Sequence, residues 1–230
     1  AICRKLKRDN GLTYEPTDIV VSNGAKHSLF NALHAVCNPG DEVLLPAPYW
    51  VSYYELIKMA GATPVLVTAT EENGYLVTAQ QLRDAITDKT KALILNSPCN
   101  PTGAVYPDGR LMEIAALAVE KDIYVISDEI YECLVYDGAV HTSIASFGPE
   151  IKDLTVVVNG LSKAYAMTGW RIGYTASNRR IATAMANFQS HATSNANSIA
   201  QAASIAALDG DKNEQRSMIS EFSRRRQYMM

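Results

Sequence analysis

The chain has 230 residues, 47% hydrophobic content and a formal charge of −3. A domain of that length buries roughly 70–75% of its unfolded surface, so it needs neither disulfides nor a structural metal, and a mildly acidic balance with interspersed lysine and arginine excludes a broad nucleic-acid or anionic-membrane footprint. Four scattered cysteines without paired spacing, no signal peptide and no apolar run of spanning length point to a cytoplasmic protein whose partner is a small molecule, with no nucleic acid and no membrane involved.

A basic, helix-like stretch from Ile2 to Asp9 comes first, followed by a short β-branched run at Ile19 to Val21. Ala25 to Val36 has helical spacing and stops at Asn38-Pro39-Gly40-Asp41; strands are expected at Val43 to Leu45 and Pro64 to Val67. Thr78 to Ile86 opens with Thr78 and Gln81 at capping-box spacing, and Pro107 to Glu120 has its proline near the first turn. Around these lie strand candidates at Ala92 to Leu95, Ile123 to Ile126, Thr155 to Val158 and Arg171 to Tyr174. Asn178 to Phe188, Ser198 to Leu208 and Glu214 to Met230 read as helices, the last with Arg224-Arg225-Arg226 as a solvated face.

Strands alternating with helices predict an α/β fold, a mostly parallel seven-stranded sheet with helices on both faces. Residues 1–208 are expected to form one large domain and residues 209–230 to begin a helix leading towards a small C-terminal domain. The start at Ala1 and the finish inside a helical run suggest a piece of a longer protein.

In an open α/β sheet, ligands bind beyond the carboxyl ends of the strands. The first such segment is Asn23-Gly24-Ala25-Lys26, where a strand passes into a helix and unpaired N–H groups can meet a phosphate. A purely structural turn reads equally well. Asp128 closes an apolar strand and would need a cationic partner if buried; a plain turn cap is the competing reading. A helical turn there would point the Tyr131 phenol the same way. Lys163 follows another strand and the turn Asn159-Gly160, which places an amine in the same cleft with Arg171 near by.

The run Ser162-Lys163-Ala164-Tyr165-Ala166-Met167-Thr168-Gly169-Trp170-Arg171-Ile172-Gly173-Tyr174 resembles the lysine signature of class I aminotransferases of the aspartate aminotransferase family, pyridoxal-phosphate enzymes of fold type I. Asn100-Pro101-Thr102-Gly103 and Ser127-Asp128-Glu129-Ile130-Tyr131 resemble two more of its motifs, in the same order, and Pro48-Tyr49-Trp50 is similar to a loop of the bacterial branch. The resemblance runs from about Glu15 to Leu208. It implies that residues 1–208 are the large domain that binds pyridoxal 5'-phosphate. Lys163 would form the internal aldimine and move the proton between the substrate α-carbon and the cofactor. Asp128 would pair with the pyridine nitrogen, Tyr131 and Asn100 would bond the 3'-oxygen, and Trp50 would stack on the ring. Gly24, Ala25, Ser162 and Arg171 would hold the phosphate.

The implied reaction moves an amino group between an amino acid and a 2-oxo acid, and Lys26, placed to meet a distal carboxylate, points to an acidic amino acid. A homodimer is also implied. The family's phosphate-binding tyrosine and its carboxylate-clamping arginine lie in segments outside these 230 residues, so a chain that binds cofactor but catalyses poorly is expected. A non-catalytic effector-binding domain of the same fold, or a lyase using the same cofactor, are the alternatives. His27, His34, His141 and His191 lack ligand spacing, and no metal site is expected.

Overall fold

The computed structural model describes residues 1–230. One seven-stranded sheet runs in the order β1-β7-β6-β5-β4-β2-β3. The strands are β1 (Ile19–Ser22), β2 (Glu42–Ala47), β3 (Thr63–Thr68), β4 (Thr90–Asn96), β5 (Tyr124–Asp128), β6 (Thr155–Gly160) and β7 (Gly173–Ala176). Nine helices accompany them: α1 (Ile2–Asn10), α2 (Ala25–Val36), α3 (Ser52–Met59), α4 (Ala79–Ala85), α5 (Asp108–Lys121), α6 (Pro149–Leu154), α7 (Arg179–Ala192), α8 (Ser198–Asp209) and α9 (Asn213–Met229).

The period of two along each strand explains why the strands read as continuous apolar runs. Val43 and Leu45 of β2 and Ala92 and Ile94 of β4 pack with Leu29 and Leu33 of α2, Ile57 of α3 and Met185 of α7. The intervening Leu44, Leu93 and Leu95 face the opposite way, onto Leu82 of α4 and Leu111, Ile114 and Ala118 of α5. Near the β1 end, Val157, Tyr174 and Ala176 meet Leu6 of α1 and Ala200 and Leu208 of α8. No helix is long and apolar enough to cross a membrane, and all four cysteines are free.

The sheet is seven-stranded and mostly parallel, as expected, with one exception: strand β7 runs antiparallel to both β6 and β1. The twelve residues between β6 and β7, 161–172, hold a single 3-10 turn and no α-helix. A parallel return is usually made through a crossover helix, and without one the chain doubles back. The last strand also begins later than Arg171. Asn159 and Gly160 pair with Tyr174 and Gly173 and so extend β6, while Arg171 sits outside with φ 55, a left-handed conformation. Finally, α3 and α6 lie in stretches where the sequence reading placed no helix.

Candidate active site

The site is assembled where β4, β5 and β6 end and α2 begins. Asn96, the last residue of β4, ties two loops together. Its amide donates to the Asp128 carbonyl oxygen at 2.9 Å and its side-chain oxygen accepts from the Asn100 N–H at 2.8 Å. Asp128 and Asn100 therefore have a fixed relative position before any ligand is considered.

A cavity of about 300 Å³ opens at this end of the sheet. Of the ten residues singled out in the sequence, Ala25, Lys26, Trp50, Asn100, Asp128, Tyr131, Ser162, Lys163 and Arg171 line it. Gly24 does not, but it explains the position of Arg171. A Cβ built on Gly24, at φ +90, would lie 2.9 Å from the guanidinium carbon and closer still to Nη2. The missing side chain is thus the space in which Arg171 reaches the start of α2, where it donates to the Asn23 carbonyl at 3.4 Å. Gly24's own N–H donates to the Ser22 carbonyl at 2.8 Å, which leaves the first-turn amides of α2, at Ala25 and Lys26, as the donors available to an anion.

Behind this turn, β7 presses against α2. A Cβ on Gly173 would collide with the backbone of Gly24 and Ala25, so only glycine lets the strand approach so closely. The Nδ1 of His27 accepts from the Asn23 N–H at 3.2 Å. Burial lowers the His27 pKa, and a neutral ring can accept in this way. No sequence signal marks this role, because a helical histidine has many uses.

The floor of the cavity is acidic. Asp128 is 2% exposed. Its Oδ2 accepts from the Tyr53 phenol at 2.7 Å and its Oδ1 from the Ile130 N–H at 3.2 Å, but no lysine, arginine or histidine pairs with it. Burial pushes its pKa up to about 6, with the Tyr53 and Ile130 hydrogen bonds opposing the rise. The carboxylate is poised to accept a cationic N–H.

Lys163 enters from the turn after β6, with its Nζ 5.6 Å from the centroid of the Tyr131 ring. Burial, then the charge of Asp128, raises the Tyr131 phenol above its ordinary pKa. The turn itself is pinned by the Thr168 hydroxyl on the Ser162 carbonyl at 3.1 Å and by Arg171 on the Thr168 carbonyl at 2.9 Å. Trp50 stands edge-on to Tyr53, with centroids 5.4 Å apart and planes at 88°, and the Lys26 Nζ lies 4.8 Å from the Trp50 ring centroid.

Four lining residues were not anticipated: Leu29, Tyr53, Ile130 and Thr168. Tyr53 had a readable signal, since it follows Trp50 by three residues and would share a face with it once a helix is recognised there. Another surprise is His141, isolated in the sequence but placed with its Nε2 3.3 Å from the Glu129 carboxylate. Burial would raise Glu129, but the hydrogen bond and charge of His141 and the Ser143 and Ser127 hydroxyls hold it below the ordinary value. Glu129, Glu132 and His141 bring three possible ligand atoms within 4.8 Å of one another.

The end of the α/β sheet thus gathers an amine, a buried carboxylate without a cationic partner and the first-turn amides of a helix around one cavity. Over residues 1–230 the chain matches the family described as aminotransferase class I and II, and it belongs to that family. It is 51% identical over 225 residues to an aspartate aminotransferase of Bacillus sp. (strain YM-2), covering 98% of this chain and 57% of that protein. It is 47% identical over 227 residues to an aspartate/prephenate aminotransferase of Cereibacter sphaeroides, with 98% and 57% covered. Among solved structures, the aspartate aminotransferase of Rhizobium meliloti superposes with a TM-score of 0.96 at 43% identity, covering 98% of this chain and 56% of that one. The aromatic aminotransferase of Pyrococcus horikoshii OT3 gives 0.96 at 42% identity, with 99% and 61% covered. The chain thus spans little more than half the length of these relatives.

Proposed function

We propose that residues 1–208 form the pyridoxal 5'-phosphate domain of an aminotransferase, with residues 209–230 leading into a further small domain, and that the whole protein exchanges the amino group of an acidic amino acid with a 2-oxo acid. The observation that carries this reading is that the amine of Lys163 and the carboxylate of Asp128 line the same cavity. The residues present suit the cofactor. Asp128 is buried without a cationic partner, as a carboxylate awaiting a pyridinium N–H would be, and the space left by Gly24 brings Arg171 to the anion-binding start of α2. When bound, the cofactor supplies an electron sink for the substrate α-carbon.

In this reading Lys163 holds the cofactor and carries the proton to and from the substrate α-carbon. Asp128 keeps the ring protonated, Tyr131 and Asn100 bond its oxygen substituent, and Trp50 covers its face. Ala25, Lys26, Ser162 and Arg171 hold the phosphate, whose charge near −2 asks for several donors and a cation. Lys26 also offers a cation to a distal carboxylate, which favours aspartate or a similar substrate; relatives named for aspartate support the same choice. Exposed Val51, Trp170 and Ile199, next to the cavity residues Trp50 and Arg171 or beside them, favour a homodimer that covers this face.

Titration of the protein with pyridoxal 5'-phosphate should give the visible absorption of a lysine-linked cofactor, and Lys163→Ala should abolish it. The same spectrum in the variant would remove the assignment. Amino-group transfer from aspartate to 2-oxoglutarate by the complete protein separates this reaction from a lyase.

A further inference from the structure

Tyr53 is the one hydroxyl buried against the floor of the cavity, and the reading above gives it no task. It is 2% exposed, on α3, and its phenol donates to the Oδ2 of Asp128 at 2.7 Å. Asp128 Oδ1 accepts from the Ile130 N–H, so both oxygens are held by donors and the carboxylate cannot rotate without losing one of them. Trp50, one turn earlier, packs its ring edge-on to the phenol. The segment leading into α3 and the first turn of that helix thus present both the aromatic wall of the cavity and the group that fixes its acid.

We propose that Tyr53 is a positioning residue for the amino-transfer reaction: through its hydrogen bond it orients the Asp128 carboxylate and makes it the weaker base, so that a shared proton stays on the ring nitrogen facing it. This rests on the reading in which Asp128 pairs with that nitrogen. The chemistry follows from the direction of the bond. A donor stabilises the ionised carboxylate and opposes the effect of burial. Burial and the charge of Asp128 raise the Tyr53 phenol well above its ordinary value, so it remains a neutral donor across the working pH range. The other ionisable groups acting on this pair, Glu129, Cys99 and Tyr131, bear no positive charge that could take over the task.

Two measurements test the proposal, one of them without cofactor. In the cofactor-free protein, the Asp128 carboxyl is titrated by carbon NMR with labelled aspartate. Tyr53→Phe should raise its pKa by about one unit or more, roughly tenfold in proton affinity, as expected for loss of a hydrogen bond to a charged group. Replacing Tyr53 with a fluorotyrosine, a stronger donor of nearly the same shape, should move the pKa the other way, which keeps the test decisive if the Phe variant folds badly. An unchanged titration in the fluorotyrosine protein overturns the proposal.

The second measurement is the ratio of binding constants for pyridoxal 5'-phosphate and for its analogue with C–H in place of the ring nitrogen. Asp128→Asn should flatten this ratio, and Tyr53→Phe should reduce it severalfold while leaving affinity for the analogue alone. If Asp128→Asn flattens the ratio and Tyr53→Phe does not, Tyr53 has no such role and the reading of Asp128 stands. If Asp128→Asn leaves the ratio intact, the reading of Asp128 fails and takes the proposal with it.

Discussion

Substituting Gly173 tests how rigidly the anion-binding turn is built. Its added methyl would run into the backbone of Gly24 and Ala25, with Ala25 Cα at 2.7 Å. Backbone cannot rotate away as a side chain can, so either β7 or the start of α2 must shift. Overpacking of this kind costs about 1–3 kcal/mol and sometimes more; at roughly 2–4 °C per kcal/mol for a chain of this size, a 3 kcal/mol cost lowers Tm by roughly 6–12 °C. Gly24→Ala makes the contrast. Its methyl meets the end of the Arg171 side chain, which can swing aside, so the stability loss is mainly that of an alanine forced into a positive-φ, extended-ψ conformation reserved for glycine, about 1–3 kcal/mol. Moving Arg171, however, removes a charged donor from the phosphate and should weaken pyridoxal 5'-phosphate binding about 10- to 150-fold, from about 1.5–3 kcal/mol. Differential scanning calorimetry of the cofactor-free proteins and equilibrium titration with cofactor measure the two effects separately. A Gly173→Ala protein melting within about 1 °C of wild type would refute the close approach, and wild-type affinity in Gly24→Ala would refute the role given to Arg171.

Two further perturbations follow from buried charge. Asp128 has its folded pKa raised from 3.8 to about 6 by burial, so the folded state binds the extra proton between those values. Its contribution to stability is fully present below about pH 4 and is lost as pH rises through 6, a change on the order of 3 kcal/mol. Cofactor-free Asp128→Asn should therefore gain on wild type by about that much between pH 4 and pH 8 in urea melts; parallel pH profiles would contradict it. The second concerns Lys5, buried against Glu132 and bonded to Asn10 at 2.8 Å, with Asn10 in turn donating to Glu132 at 2.9 Å. Glu132→Gln leaves that ammonium buried and unpaired and should cost about 3–5 kcal/mol, while pairing it with Lys5→Met should restore most of the loss. A single variant as stable as wild type, read from its denaturation midpoint, would show that water reaches Lys5.

The strand-end loops were legible because their residue types are constrained by position. Asp128 ends, and Lys163 follows, a run buried on both faces, Tyr124–Asp128 and Thr155–Gly160 respectively, and such runs can be found without knowing the fold. The direction of β7 was not legible. Gly173–Ala176 is buried throughout, like β6 beside it, and composition carries no arrow; only the lack of a helix before it gave a hint. Helix α3 escaped for another reason. Its N-cap is Val51, no side chain caps it, and it spans eight residues with two tyrosines, so neither propensity nor stop signals mark it. α6 is six residues long, too short for a period to show. The cost of missing α3 was Tyr53, the residue that touches Asp128.

The distribution of charge gives the site its preference. The chain carries a formal −3, yet the ionic residues lining the cavity are Lys26, Lys163 and Arg171 against Asp128 alone. A positive pocket in a negative protein concentrates anions at one place on the surface and repels them elsewhere. The three cations also differ in setting. Arg171 and Lys26 are exposed at the rim, whereas Lys163 is half-buried in the cavity. Rim charges steer an anionic ligand and are screened by salt; a lysine sheltered in the cavity can be displaced from solvent by whatever fills it. An anion is drawn to the mouth, beside the start of α2, while the Lys163 amine is half-buried and the Asp128 carboxylate buried. The sheet sets the spacing of those two groups, because Asp128 and the turn bearing Lys163 end adjacent strands. Because the buried acid and the exposed cations come from separate elements, substitution at the rim can alter ligand preference without disturbing the floor.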